Sequence, residues 1–273
     1  MSSLGIPEQP RIPGYEPVRP LGINLGVVYV ARHSSSGKLV ALKIWPVTFA
    51  EHALEIHGPT ARLRHPNIIH TYEMGEFEGN YFCAIEWVER SLAERLQEGC
   101  LPDVEAVRVA YAIGSALQYA RAQGMTADSL SPPRICLADH QVPKLTRFCA
   151  IESFEKPVLT KGAQIPVNLL RSPALMPPEW LSGAGGGGEP SEVYRLGALM
   201  YEMLTARPPF RADSAVDVVK QVFNEMPERP RNVNPRVGRK LDAICMKCLE
   251  KQPTARYTSL QDLLDHLEPL AST

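Results

Sequence analysis

The first third of the chain has the short apolar period that is typical of β-strands. Turns at Ser34–Gly37 and Glu78–Asn80 separate its β-branched and aromatic runs. One helix at about Phe49–Leu63 interrupts them, and we expect Gly58-Pro59 to break or kink it. The pattern predicts a five-stranded sheet with one helix, and the strands are Val18–Leu21, Val27–Arg32, Leu39–Ile44, Ile68–Glu73 and Tyr81–Val88.

From Ser91 onward the apolar residues recur at helical spacing. Two short segments, Arg134–Leu137 and Lys144–Phe148, predict a hairpin between the helices. The chain is therefore α+β, with a flexible arm at residues 1–13, a sheet lobe at 14–89 and a mainly helical lobe at 90–270. The predicted helices are Ser91–Glu98, Val104–Gln123, Ser191–Leu204, Ser214–Asn224, Arg239–Leu249 and Ser259–Leu267.

Composition excludes several classes of function. The chain is 44% hydrophobic and 22% charged, and its net charge of −1 gives no electrostatic reason to expect a nucleic-acid partner. No apolar run approaches the roughly 18 to 20 residues that span a bilayer. Six dispersed cysteines and no leader pattern predict a reducing, cytoplasmic compartment. Cys245 and Cys248 lack a second cysteine pair, so core packing is favoured over a zinc or redox site.

Two segments have the pattern of a nucleotide site. Gly22 to Gly26 forms a glycine-punctuated turn between two β-branched runs, and Lys43 is a lone lysine in an apolar strand. Glycines let a backbone approach phosphate oxygens closely, and a lysine fixes a phosphate with a point charge. These segments predict a site for the phosphates of a nucleotide.

Short motifs along the whole chain resemble those of the eukaryotic-like (Hanks-type) Ser/Thr protein kinases of bacteria. The resemblance covers about residues 13–270. It implies a bilobal protein-kinase-like fold, with a five-stranded antiparallel sheet and one helix in the N-lobe and a mainly α-helical C-lobe. The motifs are Leu21-Gly22, Gly26-Val27-Val28-Tyr29, Val40-Ala41-Leu42-Lys43, Arg64-His65-Pro66-Asn67-Ile68, Pro143-Lys144-Leu145-Thr146, Pro177-Pro178-Glu179, Glu192-Val193-Tyr194-Arg195-Leu196-Gly197, Arg207-Pro208-Pro209-Phe210, Cys248-Leu249-Glu250-Lys251-Gln252-Pro253 and Arg256-Tyr257.

The resemblance implies ATP as the ligand of the cleft between the lobes. It places the adenine against the backbone of a strand end and the phosphates near the glycine turn. It also implies a structural salt bridge between Glu179 and Arg256, and it places Glu192 where the family has an aspartate that braces the catalytic loop. The residues implied for the nucleotide are Gly22, Gly26, Val28, Ala41, Lys43, Glu86 and Val88.

The positions that carry catalysis in the family differ in this chain. In H-R-D-x-x-x-x-N the aspartate is the base and the asparagine binds magnesium, and here Ser129 and Arg134 occupy those positions. The aspartate of D-F-G becomes Arg147, while Asp128 lies one position before the base. A serine hydroxyl is no base near neutral pH, and a guanidinium repels a cation. No catalytic residue is intact, and we expect no magnesium site.

These losses predict a degenerate family member, a pseudokinase, that acts as a regulatory or scaffolding protein with metal-independent nucleotide binding. Its partners would be proteins, such as an active kinase. The alternative is an active or residually active ATP-dependent Ser/Thr protein kinase. Lys43 either anchors a nucleotide or pairs with Glu55, although Ile56 occupies the aligned position. Arg134 and Arg147 either bind a phosphate without metal or pair with local carboxylates.

Overall fold

A five-stranded antiparallel sheet forms the N-lobe in the computed structural model, which describes residues 11–23, 26–127, 129–150, 173–182 and 188–271. The spatial order of the strands is β1-β2-β3-β5-β4. Helix α1 lies beside the sheet, so the predicted architecture of this lobe is confirmed. The elements are β1 Tyr15–Ile23, β2 Val27–His33, β3 Leu39–Pro46, α1 Ala50–Arg62, β4 Thr71–Phe77 and β5 Asn80–Glu86.

The two faces of this sheet bury different side chains, because successive residues of a strand point to opposite sides. Leu42 and Ile44 of β3 pack with Tyr15 and Ile12 on the outer face. The other face carries Ala41, with Trp45, Cys83 and Ile85 clustered around it. Ile12 belongs to the predicted arm, yet it is buried in the outer cluster. Residues 1–10 lie outside the described residues, and the domain boundaries remain predictions.

Helix α1 continues through Pro59 as far as Arg62, so Gly58-Pro59 does not break it, and the predicted kink stays a prediction. A proline inside a helix removes one backbone hydrogen bond. Contacts with the rest of the protein fix this part of the helix: the buried side chain of Thr60 accepts the N–H of Phe148 at 3.0 Å. The contact joins α1 to the C-lobe beside the cleft.

The strand predicted at Ile68–Glu73 begins at Thr71 instead. Ile68 forms a parallel bridge with Leu145, and the N–H of Ile69 donates to the carbonyl of Leu145 at 2.9 Å. Both isoleucines are buried. Their apolar pattern is therefore real, but the residues pair with the C-lobe and not with the sheet of the N-lobe.

The C-lobe is mainly helical, as predicted, and α3 and α5 pack through its core. Gly197 of α5 lies so close to α8 that an added Cβ would overlap the Cβ of Cys248. Cys245 and Cys248 are both buried, which confirms that they pack in the core. None of the described helices is long and apolar enough to cross a bilayer. The helices are α2 Leu92–Gln97, α3 Asp103–Ala122, α4 Pro178–Leu181, α5 Glu189–Thr205, α6 Ala215–Asn224, α7 Pro230–Val233, α8 Arg239–Cys248 and α9 Leu260–Leu267.

Five short strands connect this helical lobe to the cleft. The predicted hairpin is present as the antiparallel pair β8–β9, and β6 joins its edge. The segment predicted at Lys144–Phe148 is divided, because β9 ends at Leu145 and Phe148 begins a separate strand that pairs with β7. The strands are β6 Arg90–Ser91, β7 Met125–Ala127, β8 Ile135–Ala138, β9 Val142–Leu145 and β10 Phe148–Ala150.

A buried ion pair joins α4 to the C-terminal part of the lobe. Arg256 donates from Nη1 and Nη2 to the two carboxylate oxygens of Glu179 at 2.7 and 2.9 Å. Its other three N–H groups donate to the backbone carbonyls of Pro190, Glu250 and Lys251. The arginine side chain is fully buried, and all five of its donors are used. The salt bridge implied by the resemblance is confirmed.

Two opposing effects act on the pKa of the Glu179 carboxyl. Burial favours the neutral carboxyl, but hydrogen bonds from Arg256 and Ser191 outweigh burial and hold the pKa below its ordinary value of 4.5. A carboxylate with a lowered pKa stabilises the fold above the pKa it has in the unfolded chain. This contribution is present at neutral pH and is lost as the pH falls below 4.5.

We expect Glu179→Gln to lower the free energy of unfolding by about 3–5 kcal/mol, because it leaves a buried guanidinium without its countercharge. Glu228→Gln is the matched control, since Glu228 is exposed and pairs with Arg207 at the surface. Its effect should stay below about 1 kcal/mol. Urea unfolding followed by circular dichroism measures both variants. Equal losses in the two variants would contradict the structural role of the Glu179 pair.

Candidate functional site

Lys43 lies in β3 on the face of the sheet that carries Ala41. In the antiparallel registers, Lys43 pairs with Val28 of β2 and with Cys83 of β5. Directly paired residues of neighbouring strands share a face. The structure thus brings together Val28, Ala41 and Lys43, three of the predicted site residues. Trp87 packs against the cluster that contains Ala41 and Ile85, so its ring lies on the face of the sheet that carries Lys43.

The amine of Lys43 is buried near two guanidinium groups. Burial is the main cause that lowers its pKa to about 8; Arg147 and Arg134 act in the same direction, while Cys83 and Cys136 act in the opposite direction. No carboxylate among the described side chains is one of the groups that shift this pKa. Glu55 is named above as a partner for Lys43, and its side chain lies outside the described part of the structure. The pairing stays a prediction.

Glu86 and Val88 lie at the end of β5, where the chain leaves the sheet. The carboxylate of Glu86 accepts from Lys144 at 2.9 Å and from the backbone N–H of His70 at 3.2 Å. The strand ends at Glu86, so the predicted end at Val88 is two residues too late. Within the described residues, neither the N–H nor the C=O of Val88 has a backbone partner. The prediction that Glu86 and Val88 contact an adenine stays a prediction.

Ser129 and the two arginines lie where the short strands of the C-lobe meet the sheet. The antiparallel register pairs Phe148 with Ala127, which carries Arg147 toward the residues that follow β7. The carbonyl of Arg134 accepts both the N–H and the hydroxyl of Thr146, at 3.1 and 3.0 Å. Both arginines lie close enough to Lys43 to shift its pKa. Ser129 donates to the hydroxyl of Ser131 at 3.1 Å, and Asp128 lies outside the described residues.

A buried ion pair on α5 contacts Thr126 and Ala127, the residues that precede Ser129. Arg195 donates to Glu192 at 3.1 Å and to the backbone carbonyl of Ala127 at 2.8 Å, while Thr126 donates to Glu192. The sequence drew attention to Glu192 but not to Arg195. The sequence did offer a signal for Arg195: it lies three residues after Glu192, and residues three apart on a helix share a face.

Comparison with known proteins agrees with this geometry. The family model described as "Protein kinase domain" matches residues 15–267. The chain belongs to the protein kinase family. The two lobes and the sheet order carry the fold of that family, so the predicted resemblance is confirmed at this level.

Curated relatives of this kinase domain come from several bacteria. It is 30% identical to the serine/threonine-protein kinase PrkC of Bacillus subtilis over 252 residues, which cover 89% of the chain and 38% of the relative. It is 29% identical to PknJ of Mycobacterium tuberculosis over 261 residues, with 90% and 43% covered. The probable kinase PknB of Lactococcus lactis is 26% identical over 235 residues, with 83% and 37% covered. The chain spans about two fifths of the length of these relatives.

The side chains at the metal positions of the kinase domain do not fit a magnesium ion. Mg²⁺ prefers carboxylate and other oxygen ligands, whereas Arg134 and Arg147 supply positive charge. Among the residues that the structure describes, no group of three or more His, Cys, Asp or Glu side chains is arranged to hold a metal. Two guanidinium groups at these positions do not suit a divalent cation.

Gly22 and Gly26, the two glycines predicted to lie near the phosphates, have different surroundings in the kinase domain. A Cβ added to Gly26 would overlap the carbonyl oxygen of Ile44 and the ring of Trp45. A Cβ added to Gly22 meets nothing within 4 Å. Gly26 is thus required for the close approach of the turn to β3, and Gly22 is not. Asn24 and Leu25, which lie between the two glycines in the sequence, are outside the described residues.

We expect Gly26→Ala to lower the free energy of unfolding by about 1–3 kcal/mol, because the added methyl group must displace the backbone of β3 or the Trp45 ring. The matched control is Gly22→Ala, which should change stability by less than about 0.5 kcal/mol. Thermal or urea unfolding of both variants gives the comparison. A loss as large in Gly22→Ala would show that the turn is packed differently.

Proposed function

We propose that this kinase domain binds an adenine nucleotide without a metal ion and does not transfer phosphate, and that it regulates or scaffolds another protein. One observation carries the proposal: the two family metal positions hold Arg134 and Arg147, and both guanidinium groups act on Lys43. The partner we propose is an active protein kinase. A reducing, cytoplasmic location is also a proposal, supported by six cysteines that are dispersed along the sequence.

The argument against phosphoryl transfer rests on the reaction's requirements. Transfer depends on positioning the acceptor hydroxyl and neutralising the charge that develops on the phosphoryl oxygens. Ser129 is a poor base near pH 7, and losing a general base costs about 10²- to 10⁴-fold in rate. Losing the metal ion removes several kcal/mol more of transition-state stabilisation. Arginines at positions 134 and 147 replace charge, but they do not align an acceptor.

The argument for nucleotide binding rests on the groups that remain. Lys43, Arg134 and Arg147 supply three positive charges for the phosphates, where the family uses one lysine and metal ions. The backbone groups of Val88, which have no backbone partner among the described residues, and the apolar surface at Val28 and Ala41 suit an adenine ring. When bound, ATP would place its phosphates beside these three cationic side chains.

A second candidate function is an active ATP-dependent Ser/Thr protein kinase. The names of the curated relatives favour it, since PrkC and PknJ are both called serine/threonine-protein kinases. Lys43 is retained in β3, as that function requires. An assay of phosphate transfer separates the two candidates.

The first test is a thermal shift of the purified chain titrated with ATP, with EDTA or with magnesium. A ligand that binds only the folded state at about 100 times its Kd adds about 2.7 kcal/mol to the free energy of unfolding. We expect ATP to raise the melting temperature equally in both conditions, and Lys43→Ala to abolish the shift. Lys38→Ala is the matched control, since Lys38 is exposed in the turn before β3.

The shift should also depend on pH in a defined direction. The Lys43 amine titrates at a pKa of about 8, and only its charged form attracts phosphate. A bound phosphate raises this pKa, so the affinity is highest below pH 8 and falls as the pH rises above 8. A shift that needs magnesium, or no shift at millimolar ATP, would contradict metal-independent binding.

The second test measures transfer of labelled γ-phosphate from ATP and magnesium to a Ser/Thr peptide library. We expect no transfer by the natural chain above a heat-denatured control. The triple variant Ser129→Asp, Arg134→Asn and Arg147→Asp restores the base and the metal ligands, and we expect it to gain measurable activity. If the natural chain transfers phosphate and Lys43→Ala abolishes the transfer, the second candidate function is the correct one.

A further inference from the structure

An arginine-lined cavity lies on the C-lobe where α7 meets α8, and it shares no residue with the cleft that holds Lys43. Its volume is about 510 Å³. Small-molecule sites commonly measure about 300 to 1,000 Å³, so the cavity is large enough for more than one ion. The lining residues are Arg229, Arg231, Asn232, Pro235, Arg239 and Asp242.

Asp242 is the single acidic residue of this lining, and both of its carboxylate oxygens already accept hydrogen bonds within the protein. Asp242 Oδ2 accepts from Nε and Nη2 of Arg229 at 2.9 and 2.6 Å. Its other oxygen, Oδ1, accepts the backbone N–H of Arg231 at 3.0 Å. Asp242 is also nearly inaccessible, with 2% of its surface exposed. It neutralises Arg229 and leaves the other two arginines of the cavity uncompensated.

The guanidinium groups of Arg231 and Arg239 have no partner in the part of the chain that the structure describes. Arg231 Nε is buried and makes no hydrogen bond there. Arg239 is exposed at the first position of α8 and forms no ion pair within the described residues. The nearby carboxylate of Asp103 accepts the N–H of Gly238 at 2.8 Å and does not line the cavity. A buried donor without an acceptor costs free energy, and an anion would recover it.

We propose that this cavity binds a phosphate monoester of the kind carried by phosphorylated serine or threonine side chains. The planar guanidinium fork matches the oxygens of a phosphate with two parallel hydrogen bonds. The cavity holds two positive charges in excess, which balance a phosphoryl group of about −1.5 to −2 at pH 7. A carboxylate would balance only one of them. The remaining volume accommodates the peptide that carries the phosphate.

The test is fluorescence anisotropy of three short labelled peptides with the 273-residue chain. They are identical except for phosphoserine, serine or glutamate at the central position. We expect saturable binding of the phosphoserine peptide, binding at least about tenfold weaker for glutamate, and none for serine. Added inorganic phosphate should compete. If inorganic phosphate binds as tightly as the peptide, the phosphate chemistry is supported and the source is free phosphate.

Two substitutions and one control assign the binding to the cavity. We expect Arg231→Gln and Arg239→Gln each to weaken the phosphoserine peptide about tenfold, equivalent to about 1.4 kcal/mol. The matched control, Arg236→Gln, removes an exposed arginine of the same segment that does not line the cavity and should leave the affinity unchanged. Arg239 is exposed, so its variant tests the proposal even if Arg231→Gln fails to fold. Equal binding of all three peptides, or an equal effect of Arg236→Gln, would overturn the proposal.

Discussion

Two buried guanidinium groups hold the C-lobe together, and the geometry of the cleft depends on them. Arg256 uses all five donors to join α4 and the start of α5 to the segment after α8. Arg195 joins α5 to the carbonyl of Ala127, directly before the segment that carries Ser129. A buried arginine is stable only when its donors are matched. These two arginines therefore help to fix the position of the cleft residues, although neither of them lies in the predicted nucleotide site.

This arrangement explains how the fold persists while the side chains of the cleft change. The register of β7 with β10 and the contact of Phe148 with Thr60 are made by backbone groups and one threonine hydroxyl. None of these contacts uses the side chains of Ser129 or Arg147. The architecture of the family therefore does not require an aspartate at either position, and membership of the family does not by itself establish chemistry.

Most of the fold could be predicted from the sequence because burial leaves a periodic pattern. The core helices and four of the five N-lobe strands follow that pattern closely. The exceptions involve partners distant in the chain. Ile68 has a strand-like pattern, but Leu145 is its partner. Strands β7 and β10 have three residues each, too few for a period to appear. The expected break at Pro59 is absent, and local propensity could not show this because it ignores the contacts that fix the end of α1.

The candidate site was predicted unevenly for similar reasons. A lysine between apolar residues and glycines beside a strand are local signals, so Lys43 and Gly26 could be named as candidates from the sequence. The roles of Arg195 and Lys144 were missed, because each depends on a carboxylate or carbonyl supplied by another element. The cavity arginines are distributed over eleven positions, from Arg229 to Arg239, and resemble ordinary surface residues until the fold brings them together.

The contacts of residues 67 to 69 also locate the hinge of the molecule. Asn67 donates to the carbonyl of Pro143, and Ile69 donates to Leu145, so this stretch moves with the C-lobe although it precedes two strands of the N-lobe. The chain passes between the lobes twice, near His70 and just after Glu86. The N–H of Glu86 donates to the carbonyl of His70 at 2.7 Å, so a hydrogen bond joins these two segments. Any rotation of one lobe against the other would therefore have to bend the chain at two places together, at His70 and just after Glu86, and not at a single flexible linker.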